Sequence, residues 1–466
     1  MTIYTNTGGV GYATGQSSFD IVLLHWLRAI MPEALNNEVP LWGLLSGRPN
    51  EPVGGKSFAW TVHVSGNEGH SAIKPGGKMP DAKRQGYLMF SSWIRHLYFS
   101  AQIDGVTVDA NALDGSGFTD IADAEARGII NDGVREYNRI MQNNGTGILG
   151  QINGGAQTVL LASGNITISI NETIEAPTTC STAPTSNWFF RPGMRVAIVT
   201  PTGVIVGTAL VNSITSSTQL NLTALSVGAG GAAANFAVAD NDWIVRAAID
   251  LTPATSSTAY RAEPQGIQGI LSDALVPDGV GLTANQGGVD VDTTAAGVSF
   301  QGIAVSGNAF NQAPVLDNAG GGVRPITQDL LQAAVSTAME RNSARIQYLY
   351  SDYPQYNNFV STLIPNVRFQ NTGQLTTLKG GHEMADFNGI PWIRDRMAYA
   401  NRVAGLALDT GDWRLAEMAA MHGVNGEGWM PVPGEDARYM ILTHRWQMFV
   451  SDIRERAGFN LVDLAS

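Results

Sequence analysis

The chain has 466 residues, a formal net charge of −12 and 15% charged residues, against about 25% for an average soluble protein. The acidic balance argues against a nucleic-acid reader, whose footprint is a basic patch. The 44% hydrophobic content excludes a disordered chain, and a lone cysteine, Cys180, excludes an intrachain disulfide.

The length predicts two to four domains or subdomains. A surface poor in charge and rich in small residues, with 53 glycines, suits one largely covered by neighbours. It equally suits a secreted β-rich protein. Of five lysines, four (Lys56, Lys74, Lys78 and Lys83) crowd into one short segment.

Residues 1–17, "MTIYTNTGGVGYATGQS", read as a loose arm with no basic flank or apolar run, and so not as a signal peptide. Cytoplasmic synthesis and assembly is the expectation, and the sequons at Asn144, Asn165, Asn171 and Asn221 then carry no glycan. Ser17 or Ser18 caps a helix from Phe19, and Phe19, Val22, Leu23, Trp26, Leu27, Ile30 and Met31 recur at helical spacing. Its polar side lacks Lys, which favours docking on a subunit over lying on a membrane. The run "FDIVLLHWLRAIM" is too short to span a bilayer.

In 50–100, "FAWTVHV" and "YLMFSSWIRHLYFSAQI" alternate around a Gly-, Pro- and Lys-rich stretch, which predicts an extended hairpin. Its lysines make either a solvated loop or a basic finger on an acidic neighbour. Residues 118–143, "FTDIADAEARGIINDGVREYNRIMQN", form the clearest helix, with acids early and Arg135 and Arg139 late. At about 1.5 Å per residue it is roughly 38 Å long. Asn144-Gly145 ends it.

From 155 to 250 the texture becomes short strands between Gly, Pro, Ser and Thr: "TVLLASGNITISI", "MRVAIVTPTGVIVGTALVNSI", "TQLNLTAL" and "NFAVADNDWIVRAAI". This predicts a small inserted β-barrel or sandwich. Trp188 and Trp243 are either glycan-stacking platforms or core. Beyond a Gly-rich connection, Thr327 caps a helix over "QDLLQAAVSTAMERN", and "IQYLYSDYPQYNNFVSTL" reads as strand, turn and helix. The closing "ARYMILTHRWQMFVSDIRERAGFNLVDL" reads as strands.

One stretch suggests chemistry: "KGGHEMADFNGIP", with His382, Glu383 and Asp386 close together. A zincin-type site needs two ligands a helical turn apart on a continuing helix. Gly380-Gly381 and Asn388-Gly389 leave no room for one. "GVGYATG" lacks the dinucleotide spacing, and the chain has neither a phosphate-binding GxxxxGK[ST] loop nor a GxSxG elbow. Cys180 has no histidine nearby in sequence, and Asp240 and Asp242 read as loop residues. No catalytic residue, metal or cofactor is expected.

The order of the parts resembles the major capsid proteins of tailed double-stranded DNA bacteriophages, the Hong Kong 97-type fold shared in outline with encapsulins. "DAEARGIINDGVREYNRIMQNNGTGILGQI" resembles that family's spine helix and following turn, and "PITQDLLQAAVSTAMERN" with "QYLYSDYPQYNNFVSTL" resembles its axial domain. "ADFNGIPWIRDRMAYANRVAGLALDTGDWRL" is similar to its central strand pair. The resemblance implies an α+β chain with an N-terminal arm (1–48), an extended hairpin or E-loop (49–98), a peripheral domain with the spine helix (99–154) and an inserted all-β domain (155–250). An axial domain with connections (251–410) and a return to the peripheral domain (411–466) complete it. It implies a non-enzymatic subunit forming hexamers and pentamers of an icosahedral shell, assembled in a bacterial cytoplasm, enclosing DNA without sequence-specific binding and touching no membrane. Scaffold, portal and cement proteins are candidate partners. Phe19 and Trp26, and the pairing of Lys56, Lys74, Lys78 and Lys83 with Asp120, Asp123 or Glu125 of a neighbour, are the expected contacts. The lysine–asparagine crosslink of some members is not carried over, because no partner asparagine matches. The alternatives are a secreted β-rich adhesin or glycan binder and a metal-dependent hydrolase at His382, Glu383 and Asp386.

Overall fold

The structure, a computed structural model, describes residues 33–35, 38–49, 51–81, 83–104, 117–145, 147–153, 157–159, 166–171, 189–200, 204–216, 219–226, 235–240, 242–247, 262–272, 299–301, 303–304, 308–318, 323–363, 376–377, 383–399, 401–423, 430–431 and 434–465. Phe19, Trp26, Cys180, Trp188 and His382 lie outside them. Two units divide the chain: Met1–Val39 with His96–Tyr137 and Ala419–Arg445, and Pro40–Arg95 with Asn138–Met418 and Trp446–Ser466.

In the first unit the main element is the helix Gly117–Gln142, whose residues to Tyr137 belong there. Its acids Asp120, Asp123 and Glu125 fall in the early turns, where the structure describes the backbone alone. Tyr137 is fully buried. It stacks on Phe99 with ring centroids 5.8 Å apart and shares a hydrogen bond with the Nδ1 of His444. A short antiparallel ladder pairs Met430 with Tyr439 and Pro431 with Arg438.

Among the described residues of the second unit, three parts stand out. A hairpin joins Ser57–Ser65 to Gly86–Trp93, the two alternating runs of the sequence, with Ser57 opposite Trp93 and His63 opposite Tyr87.

A closed six-stranded barrel follows, in the order Gln219–Ser226, Ile166–Asn171, Ile148–Ile152, Trp243–Arg246, Arg195–Val199 and Ile205–Ser216. Alternate side chains fill it, as a barrel's period of two requires: Ile168 and Ile170, Val196 and Ile198, Ala209 and Val211, Leu220 and Leu222. A second cluster buries Ile148, Ala197, Val199, Trp243 and Val245, so the strands that supply them are covered on both faces. The barrel takes in Ile148–Ile152, which the sequence reading placed ahead of the inserted segment. That run carries no visible alternation because all five of its residues are buried.

The third part is a seven-stranded sheet: Val315–Leu316, Gly458–Leu461, Val403–Leu406, Tyr348–Ser351, Ile390–Arg394, Glu383–Phe387 and Thr376–Thr377. Tyr348–Ser351 runs parallel to Ile390–Arg394 and antiparallel to Val403–Leu406. The helices Gln328–Asn342 and Tyr353–Leu363 bury Leu331, Ala334, Ala338 and Phe359 with Trp392 and Phe459 of the sheet. Thr327 caps the first of these helices, its hydroxyl accepting from the N–H of Leu330 at 3.2 Å.

Residues 263–271 form a wholly buried segment against the end of the long helix. Arg139 and Glu263, 3% and 5% exposed, pair there in two hydrogen bonds, and Arg454 donates to the carbonyls of Gly269 and Ile270, each at 2.6 Å. A Cβ on Gly266 would stand 2.1 Å from the carbonyl oxygen of Asn143.

Candidate functional site

Glu383–Phe387 is a strand and Ile390–Arg394 its antiparallel partner, joined by Asn388 and Gly389 at φ 52° and 78°. Two residues at positive φ make the tight turn that suits twisted hairpins, and Asn-Gly is its preferred sequence. The helical spacing a zincin needs is therefore absent at Glu383 and Asp386. Among the described residues, no group of three or more His, Cys, Asp or Glu side chains is arranged to hold a metal. Asp242 is buried and accepts the N–H of Ala239 at 2.7 Å, which makes it the staple of a turn; burial raises its pKa, against that hydrogen bond. Trp243 is 1% exposed and offers no face to a sugar.

The conspicuous surface is the hairpin. Its inward row anchors it. Phe58 and Trp60 pack on Phe449 with ring centroids 4.8 and 4.7 Å apart, and Val62 and Phe90 pack on Ile453 with Ile303 and Phe310 alongside. Main-chain bonds add to this: Ser91 donates to the carbonyl of Gln301 at 3.0 Å, and Ile94 to that of Lys56 at 2.9 Å. A two-stranded ribbon is marginal alone in water, so these base contacts hold it.

Its outward row is left bare. Tyr87, Met89 and Trp93 are 58%, 69% and 55% exposed, and register places Met89 across from Thr61 and Tyr87 across from His63. Sequence alternation found the two rows. It did not say that the outer one would be aromatic and uncovered, since nothing local distinguishes the inward face from the outward.

Between the strands, residues 66–81 and 83–85 carry no helix or strand, and 71–81 are exposed throughout. Lys74 makes a tight turn, its carbonyl accepting the N–H of Gly77 at 2.9 Å. Lys56, Lys74, Lys78 and Lys83 are all exposed, with Lys56 at the base and the other three in the tip. The structure ties Lys78 to Asp81 at 3.4 Å, an ion pair with both side chains more than 80% exposed. Such a pair contributes little.

Sequence reasoning also missed a polar core under the sheet. The carboxylate of Asp395 accepts from the Tyr350 hydroxyl, from Asn138 at 2.8 Å and from the Met397 N–H at 2.8 Å. Burial, and then that carboxylate, hold the Tyr350 phenol well above its usual pKa, so it remains a donor. Nearby, Asp352 accepts the Gln355 N–H at 3.1 Å at the start of the helix Tyr353–Leu363, and burial lifts its carboxyl to about 7. Both carboxylates are enclosed by their own fold and act as structural clamps.

No helix among the described residues is long and apolar enough to cross a membrane. No family model matches the chain, and no curated protein does. Solved particle structures do resemble it. The capsid asymmetric unit of cyanophage A-1(L) is 9% identical, with 92% of this chain and 93% of that one covered and a TM-score of 0.47. The capsid of a native GTA particle is 10% identical over 89% and 87%, with a TM-score of 0.36. The procapsid of satellite phage P4, solved with its size determination protein, is 13% identical over 97% and 93%, with a TM-score of 0.33.

Proposed function

We propose that this chain is a major capsid protein, a structural subunit that assembles into hexamers and pentamers of an icosahedral phage head around double-stranded DNA. In this reading the Ser57–Trp93 hairpin is the E-loop, Gly117–Gln142 the spine helix, the barrel an inserted domain, and the seven-stranded sheet with its two helices the axial domain. Residues 1–48, with Phe19 and Trp26, are the N-terminal arm. The protein acts in the virion, is assembled in the bacterial host's cytoplasm, and meets scaffold, portal and cement proteins there. Its acidic balance suits a container that must not grip its DNA.

One observation carries the reading: the hairpin has the outward row of a covered element, and Tyr87, Met89 and Trp93 on it are exposed, with no partner strand or helix over them among the described residues. Exposed apolar rows of this kind mark contact surfaces, and an unprotected two-stranded edge is otherwise a liability. Closed shells need heterologous contacts that bend through a set angle, and an element reaching over a neighbour supplies one. Lys56, Lys74, Lys78 and Lys83 then lie against acids of the adjacent spine helix, with Asp120, Asp123 and Glu125 as the partners. The test is electron microscopy of Met89→Asp and Trp93→Ser variants beside the unmodified protein. Folded variants that no longer form particles support the reading; variants that assemble normally contradict it.

A further inference from the structure

Arg394 ends the strand Ile390–Arg394 and lies opposite Ser351 in the parallel pairing with Tyr348–Ser351. Just beyond Ser351 the helix Tyr353–Leu363 begins, and its first turn lays two rings against the arginine. The guanidinium carbon is 4.7 Å from the ring centroid of Tyr356 and 5.7 Å from that of Tyr353, both inside the ~6 Å reach of a cation–π contact. The side chain is partly buried. Stacking of this kind fixes the position of the guanidinium and leaves its N–H donors to other partners. Among the described residues, no carboxylate, carbonyl or hydroxyl takes any of them.

The two acids that chain and register bring beside Arg394 are engaged elsewhere. Asp395, its neighbour in sequence, is buried and accepts from the Tyr350 hydroxyl, Asn138 and the Met397 N–H. Asp352, next to its register partner, is 3% exposed and caps the helix through the Gln355 N–H. Burial lifts the Asp352 carboxyl to about 7, where a facing guanidinium would hold it low.

A cation fixed by two rings, with its donor fork open, is a recognition group. The fork matches a carboxylate in two parallel hydrogen bonds. Tyr353 beside it is 46% exposed, and tyrosine and arginine are the residues that protein interfaces concentrate at their energetic centres. A protein surface therefore suits the site better than a free anion. The chain has 40 acidic against 28 basic side chains, so copies of itself offer carboxylates in excess of their own cations.

We propose that Arg394 receives a carboxylate from a second copy of the chain. The inference rests on the shell-subunit reading and adds to it a contact outside the hairpin. Tyr353 and Tyr356 set the fork before docking, and the arriving copy covers the open face of Tyr353.

The test starts from Arg394→Lys in the full chain, which keeps the charge and gives a carbodiimide an amine to join to a carboxylate in contact with it. Particles assembled from an equal mixture of isotope-labelled and unlabelled chains are cross-linked and digested. The expected product joins position 394 to an Asp or Glu peptide, with labelled and unlabelled partners combined, as only contact between copies allows. Separately, Arg394→Gln is expected to raise the concentration needed for assembly on the order of tenfold. Arg394→Lys should raise it less, and melting of the unassembled chain should be unchanged in both. Position 394 linked only within its own chain, linked to a different protein, or unlinked in normal particles overturns this contact and leaves the shell reading standing. So does Arg394→Gln assembling as the unmodified protein does, or assembling normally while holding less nucleic acid. An unmodified chain that forms no oligomer overturns both.

Discussion

The rings of Trp60 and Phe449 lie 4.7 Å apart, and this contact joins the hairpin to the strand Ala437–Val450 that returns late in the chain. Phe449 is 2% exposed and also meets Phe58. Phe449→Ala is expected to cost about 3–5 kcal/mol. Hydrogen exchange should quicken first in 57–65 and 86–93 and leave the barrel strands unchanged. Uniform quickening across the unit would contradict the idea that this contact anchors the hairpin in particular.

The exposed lysines should matter to assembly and hardly to folding. Reversing Lys56, Lys74, Lys78 and Lys83 to Glu is expected to change stability by no more than about 0.5 kcal/mol each, as for most surface substitutions. Particle yield should fall steeply, most of all at low salt, where exposed charges are least screened. Melting and light scattering on the same samples check this; equal losses in both would refute the separation.

Asp352 predicts a dependence on pH. Its folded carboxyl titrates at about 7, whereas an unfolded aspartate titrates near 4. The folded state therefore holds the proton more tightly. The resulting stabilisation is complete below about pH 4 and is lost as pH rises through about 7, by at most on the order of 4 kcal/mol. Asp352→Asn keeps an acceptor for the helix's first turn and removes the charge. Urea midpoints at pH 5 and pH 8 should differ less in the variant, and equal slopes would count against the assignment.

The barrel should come out whole or not at all. Ile148 pairs with Val245, so a cut at those positions leaves ends already side by side, to be closed by a short Gly-Ser link. Removing 148–246 is expected to leave a soluble chain. Removing 158–248 strips Ile148–Ile152 of the partners it has in Trp243–Arg246 and Ile166–Asn171 and should aggregate. Comparing the soluble fractions of the two deletions decides it.

Gly266 should tolerate no side chain. A Cβ there would meet the carbonyl oxygens of Asn143, Ile140 and Met141 at 2.1, 2.5 and 2.6 Å, and these are backbone atoms of the long helix's end. Gly266→Ala is expected to cost at least the usual ~1–3 kcal/mol of overpacking, read as a lower melting temperature. An unchanged one would mean that the buried segment slides freely.

Much of the local structure was legible because local chemistry decides it. Alternation in "FAWTVHV" located the strand Ser57–Ser65, Asn388-Gly389 located a turn, and Thr327 located a helix start. What escaped is set by distant contacts. Ile148–Ile152 is buried on both faces and so carries no period. The raised pKa of Asp352 comes from burial by the folded unit, and the anchoring of the hairpin draws on Phe449 and Ile453, far along the chain. His382, Glu383 and Asp386 looked like chemistry through proximity in sequence, and the strand at Glu383–Phe387 removes the helix such chemistry needs.

The most direct measurement is electron microscopy of the purified chain, paired with its mass in solution. The account predicts closed shells of uniform diameter, or rings of five and six subunits that precede them. A solitary 49.5 kDa particle at every concentration, with Tyr87, Met89 and Trp93 still open to solvent, would contradict it.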